Sequence, residues 1–318
     1  MSAAGEEVRL LRFLVRAVAP RPVVAIAPEA GIAAFLVELA AREHVRLTVL
    51  ADDAAETADE GAADGIAGRQ PPGGGLLYLG PGVRLPDAPI DVLIVGTDEA
   101  AVPPGEDRVV AWVPLAPAVG SPRLLLGMAG GSPSPAAEAA LVAIAEGNRR
   151  QAPTDPIDPL AGRVLYLLAR FHRARRVLEL GTSTGAAAVW LASALPRKGG
   201  RVDSVERDSA RRTLAGKHLA RAGLAERVEL VLGDAERVIP RLSGPFDLVF
   251  LDEDPAERAD HLTALLPVCA PGALVVSRGG IGNALALAPF NALLRTHPAI
   301  ADVASLAVGD GLTMARVE

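Results

Sequence analysis

The stretch Val177 to Gly185, VLELGTSTG, carries the residue types best suited to chemistry: two glycines bracketing Thr182, Ser183 and Thr184, behind an apolar run that contains Glu179. Gly181 and Gly185 let the backbone turn sharply and approach a ligand closely, and a helix starting there offers unpaired N–H groups. The three hydroxyls either add donors for a ligand carboxylate or cap the following helix. The spacing is G-x-x-x-G, whereas a dinucleotide fingerprint is G-x-G-x-x-G, so a nicotinamide oxidoreductase is a distant reading. About twenty residues beyond the loop, Glu206 closes the second apolar run, VDSVERD, where a carboxylate can accept both hydroxyls of a ribose.

These groups need a scaffold that brings the ends of separate segments together. Short β-branched runs alternate with helical patterns, which predicts an α/β fold with a mostly parallel sheet and helices on both faces. Strands are expected near Arg176 to Leu180, Arg201 to Val205, Val228 to Leu232, Asp247 to Leu251 and Ala273 to Val276. The tail ADVASLAVGDGLTMARVE reads as two strands around Gly309-Asp310-Gly311, so the sheet should end in an antiparallel hairpin.

Half of the 318 residues are hydrophobic but only 3% are aromatic, so the cores must be built from Ala, Val and Leu. The net charge of −6 gives no general attraction to phosphate backbones and argues against a nucleic-acid partner. In VRLLRFLVRAVAP, Arg9, Arg12 and Arg16 interrupt the apolar residues at helical spacing, which reads as an amphipathic helix and not as a signal peptide. No other run is long enough to span a bilayer, so no membrane partner is expected. The single cysteine, Cys269, lies in the apolar run LLPVCAPGALVV as a core thiol, which fits a reducing compartment, the cytoplasm.

The chain also matches itself. Arg9 to Ala40 laid over Arg163 to Ala194 without gaps gives ten identities, among them Arg21/Arg175, Val23/Val177 and Gly31/Gly185. About three would arise by chance in so Ala-, Leu- and Arg-rich a sequence. The match resumes where RLTVLADD at Arg46 faces RVDSVERD at Arg201, and where PIDVLIVGTDEA at Pro89 faces PFDLVFLDEDPA at Pro245. Two tandem Rossmann-like units are the economical reading, the alternative being two unrelated Ala-rich βα units, which would not predict collinearity over three blocks. GGSPSP at Gly130 to Pro135 and QAPTDPIDP further on are breakers around an apolar helix.

From about Pro153 to the C-terminus the chain resembles the class I S-adenosylmethionine-dependent methyltransferases, and within them the catechol and caffeoyl-CoA type O-methyltransferases. The resemblance rests, in order, on VLELGTSTG, VDSVERD, RAGLAERVELVLGDAERVIPRL, FDLVFLDEDP, APGALVVSRGG and the closing VGDGL. It implies that S-adenosylmethionine is the cofactor and a small molecule the methyl acceptor. Glu179 and the turn of Gly181, Thr182, Ser183 and Gly185 would hold the methionine part, Glu206 the ribose, and Asp234 and Ala235 the adenine edge. Asp252 would face the sulfonium and the acceptor.

The departures from the family pattern bear on mechanism. Relatives read D-A-D-K where this chain has Asp252-Glu253-Asp254-Pro255, so the lysine near the acceptor is missing. The aspartate-asparagine pair that would complete a divalent-metal site with Asp252 is Ser277-Arg278, as in similar actinobacterial O-methyltransferases with a basic residue at that place. A cation where oxygen ligands should stand repels Mg²⁺ or Ca²⁺, so no metal is expected. Arg278 would instead pair with Asp252 or bind an acidic substrate. Methyl transfer then needs positioning and removal of the acceptor proton, for which Asp252, Asp254 and His261 are the candidates. Asp252 could equally cap a helix, and His261 could be a surface histidine.

In the first copy Ala25 stands where Glu179 is, Ala27 replaces Gly181, Pro28 removes an N–H, Ala51 faces Glu206 and Gly96 faces Asp252. The expected organisation is a degenerate copy without a cofactor site at 1–131, a linker and connecting helix at 132–157, and an S-adenosylmethionine-binding domain at 158–318. The first copy would cover surface that relatives bury in homodimers or shape the acceptor pocket, and a homodimer of the whole chain is compatible with either. The competing function is a non-catalytic binding or assembly protein built from both copies.

Overall fold

Short, mostly apolar runs rich in Val and Leu become the strands of two sheets. The computed structural model of the chain describes Phe13, five strands between residues 23 and 112, and residues 133–151, 157–280, 283–306 and 308–318. The chain divides into two units, Met1–Ser132 and Pro133–Glu318. The amphipathic helix expected at Val8 to Pro20, apart from Phe13, and the first-copy positions Ala27, Pro28, Gly31, Ala51 and Gly96 lie outside the described residues.

In the first unit, β1 (Val23–Ile26), β2 (Leu47–Leu50), β3 (Leu77–Leu79), β4 (Val92–Val95) and β5 (Val109–Trp112) form a parallel sheet in the order β3-β2-β1-β4-β5. In the second, β6 (Arg176–Leu180), β7 (Arg201–Glu206), β8 (Val228–Leu232), β9 (Phe246–Leu251) and β10 (Cys269–Arg278) are parallel in the order β8-β7-β6-β9-β10. The order is the same, and so is the register: Val23 pairs with Leu47 and Val92, and Val177 pairs with Val202 and Leu248. These partners are the residues that the self-alignment superposes. β12 (Leu312–Val317) runs antiparallel to β10 and to the edge strand β11 (Ile300–Leu306), as the tail predicts.

Seven helices surround the second sheet: α1 (Pro135–Gln151), α2 (Pro159–Phe171), α3 (Ala186–Ala194), α4 (Ser209–Arg221), the single turn α5 (Ala235–Val238), α6 (Arg258–Leu265) and α7 (Ala288–Thr296). The connecting helix α1 belongs to this unit, packed on α3 and α4. Central strands covered on both faces must be apolar along their whole length. Accordingly Leu178, Leu180, Val249, Leu251 and Val275 are buried in one core, and Glu179 is the buried polar residue of β6. Cys269 is only half-buried, because it opens β10 beside a 3₁₀ turn at the rim of that core.

α2 starts cleanly. The Asp158 carboxylate accepts the N–H groups of Leu160 (2.8 Å) and Ala161 (3.2 Å), and Pro159 takes the first helical position, where no N–H is needed. The sequence AAAVWLASA leaves α3 buried on nearly every side, so it has no polar face. It touches α2 where Gly162 leaves room for the Trp190 indole: a Cβ on Gly162 would stand 2.2 Å from the indole nitrogen. Gly162→Ala therefore forces Trp190 off its site, with an expected loss of about 1–3 kcal/mol. A lowered urea midpoint and a red-shifted tryptophan emission would register it; an unchanged midpoint would show that the two helices can part without cost.

Candidate active site

Strand order reverses between β6 and β9, and loops that leave adjacent strands in opposite directions open a crevice at their carboxyl ends. Gly181, the first residue after β6, lies in that crevice at φ +92°, and a Cβ there would meet the Asp252 carbonyl carbon and oxygen at 2.7 Å. Only glycine satisfies both the dihedral and the approach.

The turn is largely self-satisfied. The N–H groups of Gly181 and Thr182 donate to the Val205 carbonyl (3.0 and 3.2 Å), and that of Ser183 donates to Glu206 Oε2 (2.7 Å). The N–H groups of Gly181, Thr182 and Ser183 therefore anchor the turn to β7 and hold its shape. The hydroxyls do not cap α3 either: its N-cap is Gly185, with no side-chain bond. Thr182 turns inward, its Oγ1 2.5 Å from Ser204 Oγ, and Ser204 in turn donates to Glu179 Oε2 at 2.5 Å.

A cavity of about 420 Å³ occupies the crevice, within the roughly 300–1,000 Å³ usual for small-molecule sites. At one end its wall holds Gly181, Ser183, Glu206, Asp234 and Ala235; at the other stand Asp252, Asp254 and His261. These eight expected residues are brought together, whereas Glu179, Thr182 and Gly185 lie behind the wall. Glu206 Oε1 also accepts the Asp208 N–H (2.9 Å), which fixes the carboxylate from both sides. Asp234 precedes α5 without a capping bond from its side chain.

The second end is crowded with charge. Arg278 donates through Nη1 to Asp252 (3.1 Å to Oδ2) and through Nη2 and Nε to Asp310 Oδ2 (2.7 and 3.0 Å), tying β9, β10 and the hairpin turn together. Asp252 does not cap a helix, since α6 begins only at Arg258. Burial pushes its carboxyl up to about 6 even though Arg278 and Arg258 favour the charged form. Asp254 accepts the Ala256 N–H (3.0 Å) in a local turn.

His261 is not a surface residue. It is 6% exposed, on the stripe of α6 that also buries Arg258, Leu262 and Leu265, with Nδ1 3.2 Å from Glu253 Oε1. That hydrogen bond raises the imidazole above its ordinary value, against the effect of burial. Two participants, Arg258 and Glu253, were not among the expected site residues. Arg258 is buried and donates to Ser277 Oγ (2.7 Å) and to the carbonyls of Arg278 and Glu253; Glu253 itself lines the cavity. The one available signal was an arginine inside a short, otherwise amphipathic helix, and that pattern ordinarily marks a solvated face.

Glu179 is fully buried with Oε1 unbonded, and burial, opposed by the Ser204 hydrogen bond, lifts its carboxyl from 4.5 to about 8. Between those values the unfolded chain ionises this group while the folded chain keeps its proton, so stability falls as pH rises from about 4.5 to about 8. Glu179→Gln retains a partner for Ser204 and removes the penalty. The variant should match the parent near pH 4.5 and exceed it by on the order of 2–4 kcal/mol at pH 8, read from urea unfolding at each pH. A difference independent of pH would mean that the carboxyl is ionised in the folded state.

A family profile described as a methyltransferase domain matches residues 178–277. The catechol O-methyltransferase of Niastella koreensis is 32% identical over 186 residues, which cover 52% of this chain and 84% of that protein. The catechol O-methyltransferase of Mycobacterium tuberculosis is 34% identical over 191 residues, 55% of this chain and 86% of that protein. Among solved structures, the O-methyltransferase TomG of Streptomyces achromogenes, in complex with S-adenosylmethionine, superposes with a TM-score of 0.52 at 32% identity, covering 56% of this chain and 89% of its own. The Bacillus cereus O-methyltransferase in complex with S-adenosylhomocysteine gives a TM-score of 0.52 at 26% identity, covering 57% and 90%. With its glycine turn, its parallel sheet and its antiparallel hairpin all within the shared region, the chain belongs to the S-adenosylmethionine-dependent O-methyltransferases that act on small molecules.

Proposed function

We propose that the second unit methylates a hydroxyl of a small aromatic acceptor without a metal ion, and that the first unit is a degenerate copy that binds no cofactor. The observation that carries the reading is the single cavity wall on which Gly181, Ser183 and Glu206 meet Asp252 at the strand-order reversal. Its residues suit S-adenosylmethionine, which supplies a methyl group on a cationic sulfur and leaves as a neutral thioether. Each Glu206 oxygen accepts one backbone N–H and keeps a lone pair for a ribose hydroxyl. The Asp234 carboxylate, not engaged in capping, is placed for the amine of adenine, beside the Ala235 backbone. The acidic wall around Asp252 favours the positive charges of the methionine part. Glu179 and Thr182 act from behind, holding the turn through Ser204. An acceptor with vicinal hydroxyls is favoured by the two relatives that bear the name catechol O-methyltransferase.

The residues do not fit a divalent cation. Asp252 meets the Arg278 guanidinium, and Ser277 accepts a hydrogen bond from the buried Arg258, so two fixed cations stand where oxygen ligands would be required. This pairing also favours Arg278 as a structural partner of Asp252 over a receptor for an acidic substrate. Tandem duplication is supported by the shared strand order and by the register partners, Leu47 with Val202 and Val92 with Leu248, that the sequence match superposes. A single cysteine without a disulfide partner fits the cytoplasm, and no helix among the described residues is long and apolar enough to cross a membrane.

Calorimetric titration of the full chain with S-adenosylmethionine should give one site per chain. Two sites would overturn the degenerate copy, and no binding would leave the non-catalytic reading. Methylation of catechol should be unchanged by an excess of EDTA; abolition by the chelator, with recovery on added Mg²⁺, would sink the metal-free reading.

A further inference from the structure

We propose that Glu253 and His261 form the proton-accepting pair of the acceptor pocket: His261 takes the acceptor's hydroxyl proton through Nε2, and Glu253 is the positioning residue that fixes the ring. The inference rests on the O-methyltransferase reading and adds a base to it.

The geometry selects this pair over the neighbouring carboxylates. Both oxygens of Asp252 face the Arg278 guanidinium, at 3.1 and 3.4 Å, and Arg278 is held from its other edge by Asp310. Both oxygens are thus directed at the guanidinium, so Asp252 is oriented toward Arg278 and not toward an acceptor hydroxyl. Asp254 is exposed and bonded to the Ala256 N–H. His261 differs on both counts. Its side chain is 93% buried, with 7% exposed, yet it stands on the cavity wall. Nδ1 is taken by Glu253 Oε1, and among the described residues no protein atom pairs with Nε2. A carboxylate on Nδ1 selects the tautomer with the proton on Nδ1, so the lone pair of Nε2 is the one presented to a ligand.

Glu253 is itself held in place. Arg258, 2% exposed, donates to the Glu253 carbonyl at 2.5 Å and brings Nε to 3.9 Å from Oε2, while Ser277 and the Arg278 carbonyl take its other donors. Glu253 Oε2 has no hydrogen bond, so the negative charge is incompletely satisfied and available to an imidazolium. The charged groups that act on the ring are acids: Glu253 from the β9 loop, Glu257 just before α6 and Asp260 on it; Arg207 and Arg211 also line the cavity. This environment stabilises the ring after it gains a proton. In the proton step the acceptor O–H bond breaks, its proton bonds to Nε2, and its electron pair stays on oxygen. That pair forms the new O–C bond as the C–S pair departs with sulfur, and the imidazolium then loses its proton to water.

The pair can be tested without and with an acceptor. Nitrogen-15 NMR of the full chain should show the neutral His261 ring protonated on Nδ1, and Glu253→Ala should shift it toward the Nε2–H form. With catechol as acceptor, His261→Ala should lower kcat roughly 10²–10⁴-fold while the calorimetric Kd for S-adenosylmethionine stays unchanged, which also shows that the variant is folded. Glu253→Gln should move the acid limb of the kcat/KM profile to lower pH, since the charge that raises the imidazole is gone. An Nε2–H tautomer in the parent, or full kcat in His261→Ala, would overturn the proposal. Failure of the parent to bind S-adenosylmethionine would instead overturn the functional reading, while the NMR result still decides the pair.

Discussion

The reversal of strand order between β6 and β9 is the constraint on which the rest of the second unit depends. Parallel strands whose connections leave in opposite directions cannot fill the space above their carboxyl ends, so a crevice forms there without any special side chain. The sheet closes below it only because the backbone of Gly181 lies against the backbone of Asp252, closer than any Cβ would allow. From that contact the other placements follow. The turn after Gly181 reaches β7 through Val205 and Glu206, and Asp252 is delivered to the mouth of the crevice beside Arg278.

Charge is the second organising influence, and burial decides how it behaves. Glu179 lies within β6, opposite Phe250, and Asp252 just beyond the end of the adjacent β9, and the two carboxyls are treated differently. Glu179 has no cation beside it and two carboxylates nearby, so desolvation outweighs the Ser204 hydrogen bond and the neutral form is favoured. Asp252 is nearly as buried but faces two guanidinium groups, which limits the rise to about 6. The arginines thus bring positive charge to a cluster of acids, and they do so with fixed geometry. Arg278 bridges two carboxylates from different elements, and Arg258 bridges two carbonyls and a hydroxyl. Guanidinium groups suit this task because their donors form a rigid planar fork.

Much of this was legible in the sequence. The parallel strands from Arg176 to Val276 and the closing hairpin followed from apolar runs and turn residues, because local periodicity reports which face is buried. Of the site, Gly181, Ser183, Glu206, Asp234, Ala235, Asp252 and Asp254, at or just beyond strand ends, share one cavity wall with His261 of α6. Thr182 and Glu179 were harder to place. A hydroxyl beside a glycine turn can face ligand or sheet, and only the position of Ser204 on the neighbouring strand decides that Thr182 faces inward.

The sequence by itself determined the strand order's ingredients, the glycine turn, the internal match between the halves and the replacement of metal ligands by Ser277 and Arg278, because each is written in local spacing or residue type. Only the tertiary structure decided that His261 is paired with Glu253, that Arg258 is buried behind both, and that Asp310 shares Arg278 with Asp252. These are contacts between side chains on different elements, and their energies depend on burial and on which partners come within reach. A sequence specifies neither until the sheet has fixed the distances.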